Sequence, residues 1–200
     1  MMKLNSLQIY FYTGLLIFLL SFCSNDFPIE TDFSKDSYEL LNQDSIAVEF
    51  PQLTKGKLTV MGFIFTNCPD ICPLTTNNMR LIQEQLKVDK VTDVEFLALS
   101  FDPEVDKPSV LKRYAELRKL DLSNWSFLTG DKTTIFDLIK KAGVFAVPGD
   151  TSVAPNGDET IFYIHTDRIS ILDQEGRVRK NYFGSKANID EIVTDIKQLK

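Results

Sequence analysis

The chain has 200 residues, of which 44% are hydrophobic and 25% charged, with a net charge of −6. That length suits about one globular domain, and the balance argues against disorder. No basic stripe is present, which argues against a nucleic-acid partner. With one His and three Cys, a zinc finger, a Ser-His-Asp hydrolase and a disulfide-stapled miniprotein all fit poorly.

In chain order, the first six residues carry Lys3 and no acid, and Ile9 to Phe22 is apolar apart from Thr13, Gly14 and Ser21. As a helix this run is about 21 Å long, short of the roughly 30 Å hydrocarbon core of a bilayer, and it suits the apolar region of a secretory signal. Leu20-Ser21-Phe22-Cys23 resembles the lipobox of bacterial lipoproteins, which implies that Cys23 is lipidated and becomes the new N-terminus. Residues 1–22 are therefore expected to be a lipoprotein-type signal peptide, with a retained membrane anchor as the alternative. Both readings place the rest of the chain outside the cytoplasm, anchored to a membrane. Residues 23–45 are polar and acidic with little periodicity and are expected to form a tether, leaving 46–200 as the folded domain.

Lys57 to Phe65 is a short apolar run that predicts a buried central strand. Leu74 to Val88 carries apolar residues at Leu74, Met79, Leu81, Ile82 and Leu86, as expected of a helix lying on a sheet. Val94 to Phe101 predicts a second buried strand, broken by Asp102-Pro103. A helix follows from Pro108 to Lys119, with Pro in its first turn. Trp125 to Leu128 reads as a short extended segment, and Thr133 to Ala142 as a helix ended by Gly143. Pro148 to Asp158 is expected to be a loop. Ile161–Ile164 and Arg168–Leu172 are expected to be extended, and Gln174-Glu175-Gly176 turns the chain into a returning strand over Arg177–Phe183. Ala187 to Leu199 closes the chain as an amphipathic helix. The order implies an α/β fold with a mixed central sheet flanked by helices.

The chemistry concentrates at two cysteines and the single histidine. Cys68 and Cys72 stand four residues apart in Thr66-Asn67-Cys68-Pro69-Asp70-Ile71-Cys72-Pro73, between the first long strand and its helix. In helical or near-helical backbone this spacing puts both sulfurs on one face, and a helix N-terminus stabilises thiolates. Two soft thiolates favour Cu(I), Zn(II) or each other. Zinc asks for three or four protein ligands, whereas Cu(I) accepts two or three soft ones, so Cys68, Cys72 and His165 suit copper best. A plain disulfide between the two thiols is the competing reading for an oxidising compartment. Asp70 is either a tuning group or an exposed acid of the first helical turn. Met79, Trp125 and the many Phe residues read as core, and Asp102 and Asp106 as shaping the loop after the second strand.

These residues carry a resemblance. Phe63 to Pro73, with its two cysteines, resembles the signature of the SCO/SenC family of copper-binding proteins. Ser100-Phe101-Asp102-Pro103-Glu104-Val105-Asp106 and Asn124 to Gly130 resemble two further motifs of that family, and His165 falls where its distal His belongs. The resemblance implies a thioredoxin-like fold with an inserted loop or hairpin before that His, and copper held by Cys68, Cys72 and His165 as Cu(I), with Cu(II) left open. It also implies a chaperone role in maturing the copper centre of cytochrome c oxidase. The expected partners are the copper-bearing oxidase subunit or other copper proteins. Before Lys57 there is little sign of the family's first β-hairpin. The alternative function is an extracytoplasmic thiol–disulfide oxidoreductase using Cys68 and Cys72, as reductant of recipient cysteines or as redox sensor. Against it, three residues rather than two separate the thiols, and Thr166-Asp167-Arg168 lacks the Pro that thioredoxin-like reductases place before the next core strand.

Overall fold

Apolar runs long enough to be buried on both faces sit at the centre of the sheet, and shorter, more polar strands flank them. The computed structural model describes residues 27–153 and 159–200. Among the described residues are ten strands: β1 (Thr31–Asp32), β2 (Tyr38–Asn42), β3 (Ala47–Phe50), β4 (Leu58–Ile64), β5 (Val94–Ser100), β6 (Trp125–Thr129), β7 (Ala146–Val153), β8 (Glu159–His165), β9 (Ile169–Leu172) and β10 (Arg177–Tyr182). Four helices accompany them: α1 (Ile71–Val88), α2 (Pro108–Leu117), α3 (Lys132–Lys141) and α4 (Ile189–Leu199). Eight strands form one sheet in the order β1-β10-β9-β4-β5-β6-β2-β3, and β7 and β8 form a separate hairpin.

β4, β5 and β6 run parallel, joined by α1 and α2, while β9 pairs with β4 antiparallel and β10 with β9. This is the mixed, thioredoxin-like core expected from the sequence. Every residue of β4 is buried, as a central strand covered on both faces requires. α1 packs on β4 and against α4, and Thr76 of α1 meets the Tyr114 hydroxyl of α2 at 3.0 Å. The close approach of α1 depends on Gly62, since a Cβ there would lie 2.5 Å from Met79 Sδ. Asp131 caps α3 by accepting from the Thr133 and Thr134 amides at 2.9 and 3.3 Å.

Three expectations are corrected. The segment assigned to a tether, residues 23–45, is part of the folded domain from Thr31 onward, so the domain does not begin at residue 46. β1 pairs with β10 and β2 with both β3 and β6, and Phe33 and Leu40 are buried in the core. β2 and β3 form an N-terminal hairpin of which the sequence shows little sign. β2 and β3 each bury one apolar residue beside a glutamate, Leu40 after Glu39 and Phe50 after Glu49, and β1 buries none before Phe33, so no continuous run marks them. Residues 148–153, expected in a loop, extend β7 and pair with β8, with an irregular register between Pro148 and Thr151. The turn residues Pro148 and Gly149 distort this strand without ending it. The leader, Cys23 and residues 154–158 lie outside the described residues. Among the described residues no helix is long and apolar enough to cross a membrane.

Candidate metal centre

One crossover and the inserted hairpin deliver the three candidate ligands. Cys68 lies in the turn that leaves the C-terminal end of β4, and Cys72 is the second residue of α1. α1 begins at Ile71, a turn earlier than expected, so Cys72 belongs to the helix itself. His165 is the last residue of β8, where it pairs with Ala146 at the base of the hairpin. The two Sγ atoms and a ring nitrogen of His165 all lie within 4.8 Å of one another. Cys72 Sγ is 3.8 Å from His165 Nε2, and the two sulfurs are not bonded to each other. The sequence separation of 93 residues between Cys72 and His165 is closed entirely by the sheet topology.

The thiols are not equivalent. Cys68 is half-buried, Cys72 buried. The Cys72 amide donates to Cys68 Sγ at 3.3 Å, so the sulfur occupies the place of an N-cap acceptor. Asp70, at the cap position itself, makes no side-chain cap bond and is exposed; it contributes its backbone N–H to Cys68. Hydrogen bonding from Cys72, joined by His165 and these amides, lowers the Cys68 thiol against the opposing effect of burial. Cys72 is raised by its bond to Cys68 and by burial. The Phe65 amide donates to Cys72 Sγ at 3.4 Å, but burial and the Cys68 contact outweigh it, so the surroundings favour the thiolate at Cys68 over Cys72.

The imidazole is oriented by its surroundings. His165 Nδ1 lies 3.0 Å from the Thr166 carbonyl oxygen. A carbonyl only accepts, so Nδ1 carries a proton and Nε2 is the nitrogen that faces the sulfurs. The ring packs on Phe101 at 4.9 Å and edge-on to Phe65 at 5.8 Å, and Tyr163 closes on both of these. Burial opposes a charged imidazole, but the bonds to Cys68 and the Thr166 backbone prevail and raise His165.

Three buried or half-buried polar groups that the sequence did not single out for this role hold the ligands in place. Asp106 is fully buried; it accepts from the Thr66 amide at 3.0 Å and from Ser100 Oγ at 2.5 Å, and also from the Thr66 hydroxyl. It therefore pins the start of the cysteine turn to the end of β5, and burial raises its carboxyl. Asp102 takes the weaker role of accepting from the Tyr163 hydroxyl at 3.4 Å. Asp167, two residues after His165, accepts from Thr75 Oγ1 of α1 at 3.1 Å and from Ser185 Oγ at 2.6 Å. The Ser185 amide adds bonds of 2.9 and 3.0 Å. This carboxylate locks the strand after His165 to the helix that bears Cys72. Gly184 makes room for it, since a Cβ there would lie 2.5 Å from Asp167 Oδ1. Met79 is buried against Gly62, as expected of a core residue.

Two sulfurs and one imidazole nitrogen make a soft, three-donor set at the end of a sheet. A family model for SCO1/SenC proteins matches residues 28–200. The chain belongs to the SCO1/SenC family. This family member is 31% identical to the SCO1 protein homolog of Bacillus subtilis (strain 168) over 188 residues, 92% of each chain. Among solved structures it is similar to a SCO1/SenC family lipoprotein of Bacillus anthracis, with a TM-score of 0.71 and 33% identity, covering 86% of this chain and 96% of that one. It is also similar to the copper-bound ScoI of Bradyrhizobium japonicum, with a TM-score of 0.67 and 28% identity over 82% of this chain and 98% of that one.

Proposed function

We propose that this protein is an extracytoplasmic copper chaperone that holds Cu(I) through Cys68, Cys72 and His165 and serves the maturation of a cytochrome c oxidase copper centre. The carrying observation is the convergence of the chain's sole imidazole and these two thiols to within 4.8 Å. The family of cytochrome c oxidase assembly proteins to which its relatives belong, and the copper held by the Bradyrhizobium protein, support the same reading. The copper-bearing oxidase subunit is the proposed recipient. Copper is here cargo: Cys68 meets it as a thiolate, Cys72 gives up its proton on binding, and Nε2 of His165 completes the set. Because three donors leave Cu(I) open to a fourth, a recipient thiolate can enter before any of the three departs. Cys23 is the proposed lipidation site, tying the domain to the outer face of a membrane, in keeping with the Bacillus anthracis lipoprotein.

The thiol inequality favours a second reading for the metal-free protein. Cys68 as thiolate can attack a recipient disulfide, and Cys72 then displaces the recipient thiol; the recipient gains two electrons and this chain becomes the disulfide. Cu(I) titration of the reduced full chain separates the two. Binding of one Cu(I) per chain, lost in Cys68→Ser and Cys72→Ser and weakened in His165→Ala, is the expected result. Weak binding with no fixed stoichiometry would overturn the chaperone reading in favour of the redox one.

A further inference from the structure

His165 is carried by the part of the molecule with the least support of its own. Among the described residues, β7 and β8 pair only with each other, and a lone two-stranded hairpin is marginal in water. Side chains alternate between the two faces of a strand, so Tyr163 and His165 share one face of β8 and Ile164 takes the other. Ile164 is 65% exposed, whereas Tyr163 and His165 are both half-buried. The face that bears the imidazole is therefore the one laid on the domain.

What that face rests on is a pair of rings. Phe65 and Phe101 follow directly on β4 and β5, and the Phe101 amide donates to the Ile64 carbonyl at 3.1 Å. Both rings are buried, with their centres 5.3 Å apart. Tyr163 stands edge-on to both, at 5.2 and 5.6 Å, and its hydroxyl donates to Asp102 Oδ1 at 3.4 Å. Asp102 is buried and its backbone is fixed: its amide donates to Ser100 Oγ at 3.1 Å and its carbonyl accepts from the Asp106 amide at 2.8 Å. The same loop holds the sulfur side, since Asp106 accepts from the amide of Thr66, two residues before Cys68, at 3.0 Å. One loop, Ser100–Asp106, thus reaches both the turn of the thiols and the strand of the imidazole.

We propose that Tyr163 is a positioning residue for the metal centre: wedged on Phe65 and Phe101 and fastened to Asp102, it sets the distance between His165 and the two sulfurs. Asp167 secures the chain after His165, through Thr75 and Ser185; Tyr163 secures it before. The loop after β5 is then a common support, with Asp102 serving the histidine hairpin and Asp106 the cysteine turn. Displacing Tyr163 leaves both sulfurs in place and carries the ring nitrogen away from them. The consequence for copper rests on the reading given above, while the placement of the imidazole rests on the aromatic cluster alone.

Two measurements on the reduced full chain in detergent test this. The chain has one His, so carbon-13 in the imidazole gives a single set of ring signals, displaced by the ring current of Phe101 at 4.9 Å. In the metal-free protein at one pH, Tyr163→Leu is expected to move those signals most of the way to free imidazole values. Tyr163→Phe and Asp102→Ala should move them part of the way, and Asp102→Asn should recover some of that. Chelator competition then reads Cu(I) affinity, expected to fall about tenfold in Tyr163→Leu and about threefold in Tyr163→Phe. In a His165→Ala background there is no imidazole to place, so Tyr163→Leu should change the affinity by less than about twofold. An equal loss in both backgrounds, or ring signals unmoved in Tyr163→Leu and Tyr163→Phe alike, would overturn the proposal. If near-UV circular dichroism shows Tyr163→Leu to be unfolded, Tyr163→Phe and Asp102→Ala carry the same tests. Failure of the parent chain to bind Cu(I) stoichiometrically would overturn the copper reading alone, and the ring signals would still decide the placement of His165.

Discussion

Cys68 and Cys72 are the same residue type four positions apart, yet their surroundings give them opposite characters. Cys68 accepts from the first amides of α1, while Cys72 is buried behind it and carries the proton. A thiol whose pKa is lowered stays reactive as the pH falls below the ordinary cysteine range of about 8.5. Iodoacetamide should therefore modify the reduced, metal-free protein at Cys68 with a rate that stays nearly flat from pH 8 down to 6, leaving Cys72 unmodified. Peptide mapping by mass spectrometry reads this, and equal labelling that falls tenfold per pH unit would contradict it. Asp167 bonds Thr75 and Ser185 and no proposed ligand, so it acts on the site by holding the segment after His165 in place and through its charge, which favours the protonated imidazole. Asp167→Ala is expected to weaken Cu(I) binding by about 10–100-fold, the usual range for loss of an outer partner, with Asp167→Asn recovering part of it. Competition against a chelator measures this, and unchanged affinity would show that His165 needs no such support.

At the scale of elements, the strand–turn–helix unit that carries the cysteines is the best defined part of the molecule. Gly62 lets α1 approach β4 with Met79 seated over its Cα. Gly62→Ala should cost about 1–3 kcal/mol by overpacking, and much of that should return when Met79 is shortened to Ala in the same chain. Denaturant melts of the two single variants and the double variant test this coupling; strict additivity would contradict it. This unit was legible in the sequence because β4 is a continuous apolar run and the cysteines sit between it and an amphipathic helix. The same holds for β5, for β9 and β10 with their turn, and for α4. β1, β2 and β3 were not legible, because short segments that bury only Phe33, Leu40 or Phe50 in or beside them, next to acidic residues, have the composition of a loop. β7 was concealed by Pro148 and Gly149, which ordinarily mark turns. Asp167, Thr75 and Ser185 carried no signal either, since their meaning lies in contacts across 18 and 92 positions. A polar residue at fixed distance from the lone His is the sole hint that the chain itself offered.

For the whole molecule, the arrangement of the sheet joins the folding account to the chemistry. Folding brings β8, the helix start and the cysteine turn to one end, and no local segment could assemble the three donors alone. Asp173 supports that topology from the other end. It is buried, and it receives Arg177 Nε at 2.8 Å and Arg179 NH1 at 3.0 Å. Burial works against its charge, but the amide and guanidinium bonds prevail and lower its pKa. A carboxyl lowered on folding contributes stability above its unfolded value of about 3.9 and loses it as the pH falls through the folded value. Asp173→Asn should therefore lower the melting temperature at pH 7, and the gap to the parent should shrink as the pH is taken down toward 3. A gap that is constant with pH would assign Asp173 a purely steric role.

X-ray absorption at the copper edge of the Cu(I)-loaded protein tests the central claim most directly. Two sulfurs and one imidazole nitrogen are expected around the ion, with the nitrogen lost in His165→Ala and both sulfurs kept. A nitrogen shell that survives in the His165 variant, or a copper bound by sulfur alone in the parent chain, would contradict the assignment.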